Sequence, residues 1–210
     1  MLFRSQWGLY AVTPPTLDTV AVGDNYAQFG EMHCSIYSPP GQIATIGIMA
    51  HEMGHLFGLP DLYDTDYSSR GVGIWSLMAY GSWNSVSRSG DSPSLMDAWS
   101  KARLGWTTPT AVTSTPTLRS IPAAESSSTV YQFRAGSALN STGEYFLLEN
   151  RQQTGFDAGL SGSGLLAWHI DESRASNTAE CVPDSTPACT ASVDRKSTRL
   201  NSVTWPYLVC

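Results

Sequence analysis

Two histidines four residues apart, with a glutamate directly after the first, constrain this chain more than any other feature. They form the sequence HEMGH at residues 51–55, inside a stretch whose apolar residues recur at helical spacing. Residues four apart on a helix share one face, so His51 and His55 can bind one metal ion. Imidazole nitrogens suit zinc, and the adjacent Glu52 can reach a bound water rather than the metal. The motif therefore predicts a zinc site on a helix.

The residues around the motif predict where this helix ends and how the chain continues. Gly58 is expected to terminate the helix in a left-handed conformation, and Pro60 prevents it from resuming. The chain then turns back, which brings Asp61 within reach as a third ligand, with Asp64 and Asp66 as competing candidates. Those two carboxylates alternatively bind calcium or lie in solvent. The helix is predicted over residues 43–57, and its expected buried face comprises Ile43, Ile46, Ala50, Met53 and Phe57.

A methionine in a tight turn comes after the histidine helix, within GIWSLMAYGSW at residues 73–83. A histidine helix, a glycine turn and then such a methionine form the arrangement of metzincins. Met78 is expected to lie under the metal as an apolar floor, or else to be an ordinary core methionine. Tyr80 either donates its hydroxyl to a developing oxyanion or packs as a buried aromatic residue.

The remainder of the chain predicts a second helix and then β-structure. Asp91 or Ser92 is expected to cap the helix, with Pro93 in its first turn and Gly105 at its end. Asp97 and Lys101 are expected to pair on its exposed side. Short apolar runs at residues 130–133, 145–148 and 165–170 predict strands. The fold class is therefore α+β, with a partial catalytic domain at residues 6–107 and a truncated β-rich segment at 108–193.

Charge and composition argue against two classes of protein, nucleic-acid-binding proteins and membrane-spanning ones. The net charge of −6 and the pI of about 5.1 argue against a nucleic-acid partner, which normally meets a basic face. No stretch approaches the ~20 apolar residues of a membrane span.

Cys181 and Cys189 are expected to form a local disulfide or to remain two free thiols. Residues 2–5 and 194–202 resemble translated sequencing-adapter ends, and we expect residues 1–5 and 194–210 to be non-native.

The motifs together resemble the immune inhibitor A-like secreted zinc metalloproteases. The resemblance covers about residues 40–172, and it is close in three segments: HEMGHLFGLPDLYD, GIWSLMAYGSW and DSPSLMDAWSKARLGW. The downstream segments EYFLLENR and GLLAWHID also resemble that family. It implies the lower half of a metzincin-like catalytic domain from a longer protein. It also implies a secreted zinc endopeptidase that acts on protein or peptide substrates, with calcium as a structural ion.

The same resemblance implies a role for each matching residue. His51, His55 and Asp61 are expected to be the zinc ligands, and Glu52 the base that activates a metal-bound water. The alternatives are a zinc hydrolase acting elsewhere than on internal peptide bonds, a non-catalytic metal-stabilised adhesion module, and an inactive fragment of the protease. Glu52 argues against a purely structural site, which has no use for a base. His169 and Asp171 either share a cation or are ordinary hydrogen-bonded groups.

Overall fold

The computed structural model describes eight parts of the chain, residues 16–21, 27, 29–33, 42–63, 71–113, 120–133, 143–172 and 200–202. It contains two α-helices, α1 (Ile46–Leu56) and α2 (Ala98–Arg103). Three 3-10 turns are also present, at Gly73–Trp75, Tyr80–Trp83 and Gly155–Gly159. The strands are β1 (Thr16–Leu17), β2 (Val20–Ala21), β3 (Thr110–Val112), β4 (Tyr131–Phe133), β5 (Glu144–Arg151), β6 (Gly164–Asp171) and β7 (Leu200–Ser202).

Helix α1 ends as the sequence predicts. Gly58 takes a φ of +82°, which only glycine adopts without strain. Its N–H donates to the carbonyl of His55, and the N–H of Leu59 donates to the carbonyl of Gly54. These two bonds form a Schellman motif, which reverses the chain direction directly after the helix. The reversal carries Asp61 back toward the histidines.

The predicted start and buried face of α1 are wrong. Residues 42–44 pair with residues 31–33 in a short ladder that includes a bridge between Met32 and Ile43, so the helix begins at Ile46. Its buried residues are Gly47, His51, Glu52 and Gly54, while four members of the expected apolar face, Ile43, Ile46, Met53 and Phe57, are exposed. A Cβ atom on Gly47 would lie 1.9 Å from the carbonyl oxygen of Ser82. Close approach through glycine, rather than burial of large side chains, therefore sets which face packs inward.

Helix α2 also differs from its prediction. It begins at Ala98, because the buried carboxylate of Asp97 accepts a hydrogen bond from the N–H of Ser100 and caps the helix. The expected exposed pair of Asp97 and Lys101 is therefore wrong. Lys101 Nζ instead lies 2.6 Å from Glu149 Oε2 on β5.

The main sheet contains five strands in the order β3-β4-β5-β6-β7. Strands β3 and β4 are parallel, and the other neighbours are antiparallel. The strands predicted at residues 145–148 and 165–170 are confirmed as parts of β5 and β6. The strand predicted at residues 130–133 is confirmed as β4, which begins one residue later. Strand β7 lies in the segment predicted to be non-native. Backbone pairing over three residues does not depend on which side chains are present, so it does not test whether this segment is native. The non-native origin of the segment stays a prediction.

One hydrophobic core joins the helical part to the sheet. Its buried residues include Leu62, Met78 and Trp99 on the helical side and Leu147 and Trp168 on β5 and β6. The structure thus combines helices and an attached sheet, which agrees with the α+β class. Within the described ranges, no helix has the length and apolar character that crossing a membrane requires. The four cysteines lie outside the described residues, and so does the predicted disulfide.

Candidate metal centre

The structure brings His51, His55 and Asp61 together on one side of α1. Asp61 Oδ1 lies 3.2 Å from His51 Nε2 and 3.1 Å from His55 Nε2. One potential ligand atom from each residue lies within 4.8 Å of the other two. Among the residues that the structure describes, this is the one group of three or more potential metal-binding side chains. Two nitrogens and one carboxylate oxygen are donors that zinc accepts.

Two backbone carbonyls orient the imidazoles. His51 Nδ1 lies 2.8 Å from the carbonyl oxygen of Leu77, and His55 Nδ1 lies 2.8 Å from that of Leu59. Each Nδ1 donates its proton to the backbone, so Nε2 is the ring atom that faces Asp61 and the one that a metal ion would bind in place of a proton. Metal-binding histidines are commonly fixed in this way. Two imidazole nitrogens and a carboxylate oxygen that lie this close together fit a divalent cation at their centre.

The pKa values of Asp61 and His55 both shift toward the ionised form of the group. Burial raises the pKa of Asp61, but hydrogen bonds and charge interactions with His51 and His55 outweigh this effect and hold the pKa well below its ordinary value. Burial lowers the pKa of His55, but the hydrogen bond to Asp61 and the Leu59 carbonyl together raise it above its usual value. The Asp61 carboxylate and the His55 imidazole thus stabilise each other's charged form.

Glu52 is buried beside this cluster, with 8% of its surface exposed. Burial raises the pKa of its carboxyl above the ordinary value, the positive charges of His51 and His55 lower it, and the negative charge of Asp61 raises it. The net direction is upward. A carboxyl group with a raised pKa accepts and releases a proton more readily near neutral pH than an exposed one does.

Met78 and Tyr80 approach the cluster from the turn that comes after Gly73–Trp75. Met78 is fully buried, and its Sδ lies under α1, where a Cβ atom on Gly54 would meet it at 2.3 Å. The ring of Tyr80 lies 5.8 Å from that of Tyr63, which in turn stacks 6.4 Å from His51. Met78 therefore packs beneath the histidine helix, and Tyr80 belongs to an aromatic row that reaches His51.

The other candidate residues lie elsewhere or outside the described residues. Asp64 and Asp66 fall in the undescribed segment directly after Tyr63. His169 stacks on Phe146 with ring centroids 4.9 Å apart, and its Nε2 lies 3.8 Å from Glu144 Oε2. His169 and Asp171 thus lie on β6, and no metal-binding group among the described side chains includes them.

The residues that the sequence did not single out act mainly through their backbones. The carbonyls of Leu77 and Leu59 orient the two imidazoles, and Tyr63 stacks on His51. A carbonyl group carries no residue-type signal, because every residue has one. Only Tyr63 could have been suspected from the sequence, because it lies two residues after Asp61.

A buried glutamate beside two oriented histidines and a carboxylate defines a candidate site of the metallopeptidase class. Residues 13–107 match the family model described as immune inhibitor A peptidase M6, catalytic domain. The resemblance to the immune inhibitor A-like metalloproteases that the sequence indicated is confirmed by this match.

Two curated relatives are also similar to this chain, over shorter segments. The pre-pro-metalloprotease PrtV of Vibrio cholerae serotype O1 (strain M66-2) is 45% identical over 60 residues, which are 28% of this chain and 6% of that protein. Immune inhibitor A of Bacillus thuringiensis subsp. alesti is 45% identical over 56 residues, 26% of this chain and 8% of that protein. The chain therefore matches less than a tenth of either relative's length. No solved structure shows significant similarity to the chain.

Proposed function

We propose that this chain carries the active site of a zinc-dependent endopeptidase, which hydrolyses internal peptide bonds of protein substrates. One observation supports this most directly. The Nε2 atoms of His51 and His55 and the carboxylate of Asp61 converge, while both Nδ1 atoms are bonded to backbone carbonyls. Three oriented protein donors match catalytic zinc sites, which keep a fourth position for water or substrate.

Zinc suits the two nitrogens and one oxygen of this cluster. When bound there, it would supply Lewis acidity that polarises a peptide carbonyl and makes water more acidic. His51, His55 and Asp61 would hold the ion. The described residues contain no second cluster that supports calcium, which stays an expectation from the resemblance.

Glu52 is proposed as the general base and acid of the reaction. Its carboxylate takes a proton from the attacking water and then returns it to the leaving amine. Burial supports this role, because it raises the pKa of Glu52 and so makes the carboxylate a stronger base than an exposed one. A purely structural metal site would gain nothing from a buried carboxylate at this position.

Tyr80 and Met78 are proposed to complete a metzincin-like arrangement. Met78 forms the apolar floor beneath α1, which its full burial under Gly54 supports. The Tyr80 hydroxyl would donate a hydrogen bond to the oxyanion that develops on the peptide carbonyl. The ring contacts from Tyr80 through Tyr63 to His51 support the proximity to the cluster that this role requires.

The two relatives carry metalloprotease or immune inhibitor names, and one is a pre-pro protein by name. On that similarity we propose that the parent protein is secreted and acts outside the cell on proteins or peptides.

A single substitution in the longest available form of the protein tests this proposal. Glu52→Gln should retain zinc and lose at least ~100-fold in casein hydrolysis, because general acid–base groups contribute roughly 10²–10⁴-fold. Glu31→Gln, which alters an exposed glutamate, is the matched control and should keep full activity. Activity of the unsubstituted protein should disappear with a chelator and return with zinc. Normal turnover by Glu52→Gln would refute the assignment of the base.

A further inference from the structure

Arg151, the last residue of β5, is a buried cation outside the metal cluster. Its side chain is fully buried, and all five of its N–H donors face acceptors. Nε lies 2.6 Å from Asp157 Oδ2, and Nη2 lies 2.7 Å from Asp157 Oδ1. Nη1 lies 3.2 Å from Glu149 Oε1. Arg151 and Asp157 thus form a bidentate pair, which fixes the plane of the guanidinium group.

The remaining donors of Arg151 bind the backbone on either side of the Met78 turn. Nη1 lies 3.1 Å from the carbonyl oxygen of Trp75, and Nη2 lies 3.5 Å from that of Leu95. Asp157 Oδ1 accepts a hydrogen bond of 2.8 Å from the N–H of Leu95. The ion pair therefore holds both polar groups of the Leu95 backbone and one of Trp75.

Those two residues lead directly to the metal cluster. The N–H of Leu77 donates to the carbonyl of Leu95 over 3.2 Å, and the carbonyl of Leu77 accepts the Nδ1 proton of His51. The next carbonyl, that of Met78, accepts the N–H of Leu62 over 2.8 Å. Leu62 is the residue directly after Asp61. A continuous series of hydrogen bonds thus runs from Arg151 to one histidine and to the residue beside the carboxylate.

We infer that Arg151, together with Asp157, is a positioning residue for the metal cluster, an inference that rests on the proposed function. The guanidinium fixes the Trp75 and Leu95 carbonyls, these fix the backbone at Leu77, and Leu77 fixes the imidazole of His51. The rigid planar fork suits this role, because it binds a carboxylate and two carbonyls at once, which an ammonium group cannot do with the same geometry. The sheet that carries Arg151 would then help to position the metal ligands, although the two lie far apart in the sequence.

The competing explanation is that Arg151 only stabilises the fold. If that is its only role, substituting Arg151 would lower the free energy of unfolding but would not alter the coordination or affinity of the metal in the folded protein. Metal affinity and the visible spectrum of bound Co²⁺ separate the two explanations, since both report on the ligands of molecules that remain folded.

Arg151→Lys in the full chain is the primary variant, because it keeps the buried positive charge and removes the fork. We expect its affinity for Co²⁺, measured by chelator competition, to fall about 10-fold, the lower end of the roughly 10–100-fold effect of changing a partner that orients a ligand. The d–d absorption bands of bound Co²⁺ should shift. Leu147→Ala is the matched control, because it opens a cavity in the same strand without touching this series of hydrogen bonds. Its Co²⁺ affinity should change less than 2-fold.

Asp157→Asn is the second variant and carries the test if Arg151→Lys does not fold. It keeps the shape of the side chain and weakens the hydrogen bonds that Asp157 accepts from Arg151 and from the N–H of Leu95, both of which belong to this series, and we expect a loss of Co²⁺ affinity of several-fold. Folded variants that bind Co²⁺ as the unsubstituted chain does, with the same spectrum, would overturn the positioning role alone. An unsubstituted chain that binds no Co²⁺ or Zn²⁺ would refute the proposed metal site, and this inference with it.

Discussion

Gly54 faces Met78 so closely that a Cβ atom on the glycine would lie 2.3 Å from the methionine Sδ. The contact joins the histidine helix to the turn beneath it. A second glycine of the same helix, Gly47, lies even closer to a neighbour, with the Ser82 carbonyl oxygen 1.9 Å from a Cβ placed there. These two contacts let α1 pack against the turn that holds Leu77, and both are therefore expected to be sensitive to added volume.

Adding one methyl group at these glycines should give two different losses of stability. Gly47→Ala should cost about 3 kcal/mol, because the obstructing atom belongs to the backbone, whereas Gly54→Ala should cost about 1 kcal/mol, because Met78 can change rotamer. Gly162→Ala is the control, since a Cβ there meets nothing within 4 Å. Urea unfolding of the three variants measures the order. Equal stability of Gly47→Ala and Gly162→Ala would contradict the packing described for α1.

The identity of the third ligand is testable by substituting each candidate carboxylate. Asp61→Asn should weaken zinc binding by more than the roughly 10–100-fold that an outer partner contributes, because it removes a direct ligand. Asp64→Asn and Asp66→Asn are matched controls from the same stretch of sequence and should retain zinc. Isothermal titration with zinc gives all three affinities. If zinc binding were weakened in one of the controls and normal in Asp61→Asn, the residue replaced in that control, and not Asp61, would be the third ligand.

The pair of Arg151 and Asp157 predicts a particular acid dependence of stability. Burial raises the pKa of Asp157, but hydrogen bonds and charge from Arg151 outweigh burial and lower the pKa in the folded chain. The stabilisation is therefore complete above the ordinary Asp pKa of about 3.9, and it is lost as pH falls through the lower folded-state pKa. Asp157→Asn should be about 3 kcal/mol less stable than the unsubstituted chain at pH 7.

This difference in stability should narrow below about pH 4, where Asp157 begins to take up a proton in the unfolded chain but not yet in the folded one. Urea unfolding with a chelator present, at several pH values from 7 to 3, measures the difference. Comparing the two proteins cancels the contributions of groups outside the pair whose pKa is raised, such as Asp97 and Glu52. The contribution of Glu125 does not cancel, because burial and the neighbouring Asp157 together raise its pKa. A difference that stays constant down to the acid limit of the folded state would show that the pair does not titrate in this way.

Removing the metal should lower thermal stability. An ion that binds only the folded chain stabilises it by about 4 kcal/mol at a free concentration 1,000 times its Kd. For a chain of this size, that corresponds to a rise in Tm of about 8–16 °C. Scanning calorimetry with zinc and with a chelator measures the shift. His55→Ala should show almost none of it, and a full shift in that variant would place the ion elsewhere.

The sequence predicted the convergence of the cluster because helix geometry is local. The period of α1 places His51 and His55 on one face, and the positive φ of Gly58 returns the chain toward Asp61. Both features depend on residues within about ten positions of one another. The strands β5 and β6 were also recognisable, because apolar side chains fill their central positions.

The sequence did not predict which face of α1 is buried, because apolar periodicity favoured Ile46 and Met53 over Gly47 and Gly54. Glycines contribute little to such a pattern, although here they permit the closest contacts. The capping by Asp97 and the partners of Arg151 were also missed. Arg151 bonds to residues 56 and 76 positions away, and side-chain contacts at that separation leave no periodic signal.

X-ray absorption spectroscopy of the zinc-loaded chain is the sharpest test of the three-ligand site, because it counts the ligands around the ion. One zinc per chain is expected, with two imidazole nitrogens and oxygen donors at roughly 2.0–2.2 Å and no sulfur. His51→Ala and His55→Ala should each lose the ion. A sulfur shell near 2.3 Å, or zinc retained with unchanged imidazole scattering after both histidines are replaced, would contradict a site built from His51, His55 and Asp61.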